Sequence, residues 1–365
     1  MKKIYLLFVL LAFATYSSAW QCVNPPLITE TNRCLGSDTL RISPIAGVTS
    51  LYWYFNGLAV DTVNSSSYVV TTAAGGNGQG SSHNQLAFAY GVFVDKAGDV
   101  YAADPGNNRV LRFPAGSNSN TNGTIVAGGN GSGSAANQLN SPFFAFVDGS
   151  GYLYVSDCNN YRVQKFPPGS DSTTNGVTVA GGNLTGSADN QIGGPRGIYV
   201  DGSGTLFVAD KYNNRIMKFP AGSTSATYAT IAAGGNGLGN DSNQFNGPRG
   251  IWFDSGNNMY VADYTNDRVQ KFPPGSDSTS MGVTVAGGNG TGSNANQFNK
   301  PYGVYLDRHD NLFVVDVYNN RVMEFPPGSD TTTNGVIVAG GNGQGNAMNQ
   351  LNEPAEVMID STGNI

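Results

Sequence analysis

Gly250-Ile251-Trp252-Phe253-Asp254, Met259-Tyr260-Val261-Ala262-Asp263 and Arg268-Val269-Gln270-Lys271-Phe272 are the segments on which the fold turns. Each is short, rich in β-branched and aromatic residues, and bounded by turn formers, the pattern of strands. Ser255-Gly256-Asn257-Asn258 separates the first two, and Tyr264-Thr265-Asn266-Asp267 the next two. Pro273-Pro274-Gly275 ends the third, and Gly282-Val283-Thr284-Val285 supplies a fourth strand before the next Ala-Gly-Gly. Arg268–Phe272 alternates with the period of two expected of a strand. Four such strands make a small antiparallel sheet, which is too small to bury its faces alone.

The pattern recurs along the chain. Ala-Gly-Gly-Asn begins at Ala74, Ala127, Ala180, Ala233, Ala286 and Ala339, always 53 residues apart. Asn-Gln pairs start at Asn84, Asn137, Asn190, Asn243, Asn296 and Asn349, and prolines fall at Pro142, Pro195, Pro248, Pro301 and Pro354. Sheets stacked around an axis bury both faces against their neighbours and leave only short edges. A helical solenoid would need 3.6-periodic stretches, which the sequence lacks, and a parallel β-helix would use shorter units. The fold class is therefore all-β, a β-propeller of four-stranded blades over residues 74–365. Counting from Ala74 gives five complete units and a partial sixth. The expectation is a six-bladed ring, C-terminally incomplete, with Tyr68–Thr72 placed like a fourth strand to close it against the sixth blade.

The order Gly197-Ile198-Tyr199-Val200-Asp201, Leu206-Phe207-Val208-Ala209-Asp210, Asn213-Asn214-Arg215-Ile216-Met217-Lys218-Phe219 resembles an NHL repeat. The units are longer than the usual repeat of that family, and the Ala-Gly-Gly-Asn loop holds much of the excess. This glycine-rich variant resembles the arrays of secreted or surface proteins of Bacteroidetes-type bacteria; the C-terminal sorting domain such proteins often carry is not seen. The resemblance implies that the loops after the repeat proline and after the second Asp reach one face, near the mouth of a central channel.

The N-terminus reads as a secretion signal over residues 1–19: Met1-Lys2-Lys3, an apolar run from Ile4 to Tyr16, and Ser17-Ser18-Ala19 before Trp20. Its apolar run is shorter than the roughly 20 residues a spanning helix needs, and no later segment is long and apolar enough, so no membrane insertion is expected after signal removal. Cys22 and Cys34 are expected to pair, because an exported chain meets an oxidising compartment. Residues 20–73 lack the repeat. Cys34, Asp38-Thr39-Leu40, Tyr52-Trp53-Tyr54 and the turn signal Asn56-Gly57 resemble a partial Ig-like β segment. Cys158 stands where other units have Pro105, Lys211, Tyr264 and Val317, and is read as a tolerated surface residue.

Composition narrows the partners. The chain has 365 residues and a net charge of −6. Cleavage would remove two lysines and no acid. An acidic, exported chain is a poor ligand for phosphate backbones, so no nucleic acid is expected. Eleven acids recur at fixed places: Asp95, Asp148, Asp201, Asp254, Asp307 and Asp360 after first strands, and Asp104, Asp157, Asp210, Asp263 and Asp316 after second strands. Arg109, Arg162, Arg215, Arg268 and Arg321 each follow five residues later. A catalytic group is needed once, whereas these occur in every unit, so they read as turn architecture. His83 and His309 lie at different places in their units and do not make a three-ligand zinc site.

What differs between units is left to carry specificity. The residue after the repeat proline reads Tyr90 (following Ala89 in place of proline), Phe143, Arg196, Arg249, Tyr302 and Ala355, and Tyr212, Tyr264 and Tyr318 follow second-strand Asp residues. Aromatic and Arg side chains are the usual anchors of a binding patch, although drift at exposed loop positions gives the same pattern. The sequence is thus read as a secreted or cell-surface, non-enzymatic binding or scaffold module for an extracellular protein or carbohydrate, with no catalytic residue, metal or cofactor assigned. The alternative is a propeller enzyme of lyase or hydrolase type with a metal in the central channel.

Overall fold

A computed structural model describes residues 52–55, 58–62, 70–360 and 363–365. The chain divides into two units, Met1–Val69 and Val70–Ile365. In the first, β1 (Tyr52–Phe55) and β2 (Leu58–Thr62) pair antiparallel, Phe55 opposite Leu58. The signal segment, the Cys22–Cys34 pair and the remainder of the Ig-like stretch lie outside the described residues.

The second unit contains five four-stranded antiparallel sheets. Blade 1 is β3 (Val92–Val94), β4 (Val100–Asp104), β5 (Arg109–Phe113) and β6 (Thr124–Gly128). Blade 2 is β7 (Pro142–Val147), β8 (Leu153–Asp157), β9 (Arg162–Phe166) and β10 (Val177–Gly181). Blade 3 is β11 (Pro195–Val200), β12 (Leu206–Asp210), β13 (Arg215–Phe219) and β14 (Thr230–Gly234). Blade 4 is β15 (Pro248–Phe253), β16 (Met259–Asp263), β17 (Arg268–Phe272) and β18 (Val283–Gly287). Blade 5 is β19 (Pro301–Leu306), β20 (Leu312–Asp316), β21 (Arg321–Phe325) and β22 (Val336–Gly340). Within each blade the strands follow chain order, so every connection is local. Two boundaries differ from the sequence reading. From blade 2 on, first strands start at the repeat proline, and fourth strands run into the Ala-Gly of Ala-Gly-Gly-Asn.

Blades stack through apolar side chains that the repeat supplies at fixed places. Phe113, Phe166, Phe219, Phe272 and Phe325 end the third strands and are fully buried. Each contributes about 1.5–3 kcal/mol of burial. Leu139, Ile192, Phe245 and Phe298 reach the same cores from the glycine-rich loops. Those loops are therefore anchored, and their polar groups are tied as well. Asn183 Nδ2 donates to Asn190 O at 2.9 Å, and Gln191 Nε2 to Asn183 O at 3.0 Å.

The recurring Asp and Arg residues are framework. Arg215 Nε lies 2.9 Å from Asp210 Oδ2, and the other four units repeat the pair at 2.7–2.9 Å with a fully buried Asp. The guanidinium of Arg215 also donates to the carbonyls of Ser187, Ala188 and Gln191. Asp210 accepts from Gly193 N and Asn213 Nδ2. First-strand Asp residues close the next turn: Asp201 Oδ1 accepts from Ser203 N and Thr205 N, both at 2.9 Å.

The expected six-bladed ring is corrected: among the described residues five blades form. In the sixth unit, residues 354–360 run beside blade 5 without joining a sheet. Tyr305 donates its hydroxyl to Ile359 O, and Val357 packs among Tyr302, Phe313 and Val315. Among the described residues no second strand stands beside this segment, so it has no ladder to enter. Val70–Thr72 likewise carry no strand pairing; they face residues 346–348 across a cleft. Ala73, the next residue, does keep an inter-blade contact. Ser117 donates its hydroxyl to Ala73 O as Ser170 does to Val126 O and Ser223 to Val179 O.

Around the axis the first strands approach closely. An added Cβ at Gly250 would stand 2.6 Å from Tyr302 O, and one at Gly197 would stand 2.5 Å from Arg249 O. Glycine at this place lets neighbouring first strands touch. Two residues further on, Phe93, Phe146, Tyr199, Trp252 and Tyr305 form a chain of ring contacts 4.7–5.5 Å between centroids. Phe146 also reaches Trp252, skipping Tyr199, at 6.4 Å. These aromatics link the first strands of all five blades.

Candidate binding site at the channel mouth

The first strand of each blade from 2 to 5 carries a register irregularity just after its start: between Pro142 and Phe144, Pro195 and Ile198, Pro248 and Ile251, and Pro301 and Val304. Proline brings no N–H to the ladder, and a bulge takes up the extra residue and re-aims its side chain. The residues so redirected are Phe143, Arg196, Arg249 and Tyr302. Tyr90 precedes β3, in the one unit that has Ala89 instead of proline.

The structure brings these residues together. Tyr90 lies tilted against Phe143 at 4.6 Å and stacks on Tyr302, from blade 5, at 6.1 Å. The Arg196 guanidinium lies 3.7 Å over the Phe143 ring. Arg249 lies 4.4 Å from the Tyr264 ring and 4.9 Å from the Tyr302 ring. Tyr264 meets Tyr302 edge to face at 6.1 Å. Residues after the proline touch their counterparts on other blades, as Tyr90 does Phe143 and Tyr302, Arg196 does Phe143, and Arg249 does Tyr302. Tyr302 and Arg249 also meet Tyr264, the residue after the second-strand Asp of blade 4. Tyr212 and Tyr318 stay on the rim, 60% and 49% exposed. The Tyr212 ring sits 4.3 Å from Lys211 Nζ. Burial first, and the Tyr318 hydroxyl second, push the Tyr264 phenol up.

Electrostatics separates this cluster from the framework. Arg196 and Arg249 are only 6% and 9% exposed, and among the described residues neither forms an ion pair with a carboxylate. Arg196 Nη1 donates to Cys158 Sγ at 2.8 Å. Arg196 Nε, Arg249 Nε and the Tyr302 hydroxyl are buried with no hydrogen-bond partner. Burial pushes the Tyr302 phenol up, while Arg249 and Arg196 pull against it. Lys211 is pulled down to about 8 by burial, then by Arg249 and Arg196. Glu356, whose carboxylate accepts from its neighbour Val357 N, is held well above the usual carboxylate range by burial.

Two members of the cluster escape the sequence reading. Cys158 is buried rather than on the surface, because it lies under Arg196 of the next blade. Burial pushes its thiol up and Arg196 partly opposes that. Lys211 occupies the same repeat position. Pro105, Cys158, Lys211, Tyr264 and Val317 differ in every unit, the same signal that singled out the residues after the proline. Among the described residues no group of three or more His, Cys, Asp or Glu side chains gathers as a metal would need.

The NHL repeat model matches residues 193–219, which hold the end of the blade-3 loop and β11 to β13. No curated protein matches the sequence. Among solved structures, a Bacteroides thetaiotaomicron protein of unknown function aligns at 16% identity and a TM-score of 0.56, over 80% of this chain and 70% of that one. A gluconolactonase from Xanthomonas campestris aligns at 12% identity and a TM-score of 0.53, over 77% of this chain and 82% of that one. A streptogramin B lyase aligns at 14% identity and a TM-score of 0.44, over 66% of each chain. At these identities the likeness is one of fold. It corrects the expectation of a non-enzymatic chain: the gluconolactonase shares the fold, so the architecture is no ground for excluding catalysis. The chain is a β-propeller that carries an NHL repeat at residues 193–219.

Proposed function

We propose that this chain is a secreted or cell-surface propeller that binds an extracellular protein or carbohydrate at the channel mouth. The observation that carries the reading is the convergence of Tyr90, Phe143, Arg196, Arg249, Tyr264 and Tyr302, from every blade but the third represented by an aromatic ring and the third by Arg196. Aromatic and guanidinium groups in a shared, partly desolvated patch are what binding surfaces are made of. Export is supported by the pattern of residues 1–19.

Glycan and peptide arrays probed with the full chain test this. A ligand is expected to be retained by the parent and lost with Tyr90→Ala. Tyr90 is 38% exposed, so its truncation leaves the blade cores intact. Ligands that bind the variant as well as the parent would place recognition elsewhere on the propeller.

A further inference from the structure

The framework arginines and the mouth arginines have opposite electrostatic circumstances. Each framework Arg faces a buried Asp, whereas Arg196 and Arg249 are as deeply buried with no carboxylate opposite. Taking a guanidinium out of water without an anion costs several kcal/mol. Stacking on Phe143, Tyr264 and Tyr302 returns about 0.5–2 kcal/mol per contact. An uncompensated remainder stays in the folded chain. Cationic groups left short of an anion, in a ring that is acidic overall, mark a place where an anion is missing.

We propose that the mouth holds the carboxylate of its ligand between Arg196 and Arg249. This rests on the channel mouth being the binding surface, and names the group it takes. Among the described residues three fully buried donors stand without a partner: Arg196 Nε, Arg249 Nε and the Tyr302 hydroxyl. A carboxylate offers two oxygens with about four lone-pair positions, and planar N–H donors match it well. A tetrahedral phosphate would press bare oxygens on the Tyr90, Phe143 and Tyr302 rings. Those rings instead suit the apolar body behind a carboxylate, such as a sugar face or a peptide end. Lys211 adds positive charge from the blade of Arg196, and the buried acid Glu356 is held toward its neutral form by burial.

The test is calorimetric titration of the full chain at neutral pH with glucuronate, glucose, a tripeptide with a free C-terminus, the same tripeptide amidated, and inorganic phosphate. Glucuronate or the free tripeptide is expected to bind at least about tenfold more tightly than its neutral counterpart, and Arg249→Gln to lose at least about tenfold. Binding by glucuronate alone identifies an acidic sugar as the source of the carboxylate, and binding by the free peptide alone identifies a peptide terminus; both support the proposal. Phosphate binding without carboxylate binding, or no binding by any anion, overturns it. A neutral array ligand that Tyr90→Ala loses and Arg249→Gln keeps overturns the carboxylate assignment while leaving the mouth as the binding surface. If circular dichroism shows Arg249→Gln unfolded, Arg196→Gln is read in its place by the same criteria.

Discussion

Replacing Arg249 with methionine should leave the propeller about as stable as before, whereas the same change at Arg215 should cripple it. Arg215 reaches a fully buried Asp210 at 2.9 Å and three loop carbonyls at 2.8–3.0 Å. Its loss strands a carboxylate in the protein interior, which costs about 3–5 kcal/mol. Arg249 has no such partner. Its removal forfeits two ring contacts, each worth about 0.5–2 kcal/mol, and methionine restores part of the packing. It also releases the cost of an unpaired buried cation, several kcal/mol in the other direction. The two sides nearly cancel, so Arg249→Met is expected within about 1 kcal/mol of the parent and at least about 2 kcal/mol above Arg215→Met. Urea unfolding followed by circular dichroism reads both differences from the transition midpoints at equal slope. Equal destabilisation by the two substitutions would refute the distinction between framework and mouth arginines.

Three further outcomes follow from the geometry. Lys211 titrates near 8 rather than 10.5 because burial, Arg249 and Arg196 disfavour its charge. Binding of a carboxylate probe should therefore weaken as pH rises through about 8, and Lys211→Met should flatten that profile in titrations across pH 6–9. In the free chain the sign is reversed: the full cost of the ammonium is present below about 8, and stability rises from there toward 10.5 as the folded state sheds its proton first. Gly250→Ala puts a Cβ 2.6 Å from Tyr302 O and 2.9 Å from Val304 N; an overpacking cost of about 1–3 kcal/mol should appear as a lower thermal midpoint. Phe219→Ala empties a fully buried site and should cost about 3–5 kcal/mol in the urea assay, with unchanged stability arguing against tight stacking of the blades.

The blade was legible because its side chains serve only local needs. The span Arg268–Phe272 reads as a strand in sequence and is one, and the Asp-to-Arg spacing of five residues pairs across adjacent strands at Asp263 and Arg268. What sequence reasoning missed depends on neighbours far apart in the chain. The number of blades was misjudged because repeat counting credits a unit for its first strand, whereas a blade needs the ladder that follows. Cys158 was misjudged because its burial comes from Arg196, 38 residues away on the next blade. The bulges after Pro195 and Pro248 were hidden too, since an irregular register has no period to detect. Yet the residues they redirect stood out by varying where the frame stays constant, and Lys211 would have been found by extending that comparison one position.

The inner aromatic chain gives this propeller a built-in reporter. Trp252 lies within 6.4 Å of the rings of Phe146, Tyr199 and Tyr305. It shares strand β15 with Arg249, three residues along the chain. A ligand that displaces the Arg249 side chain should therefore register in the fluorescence of Trp252.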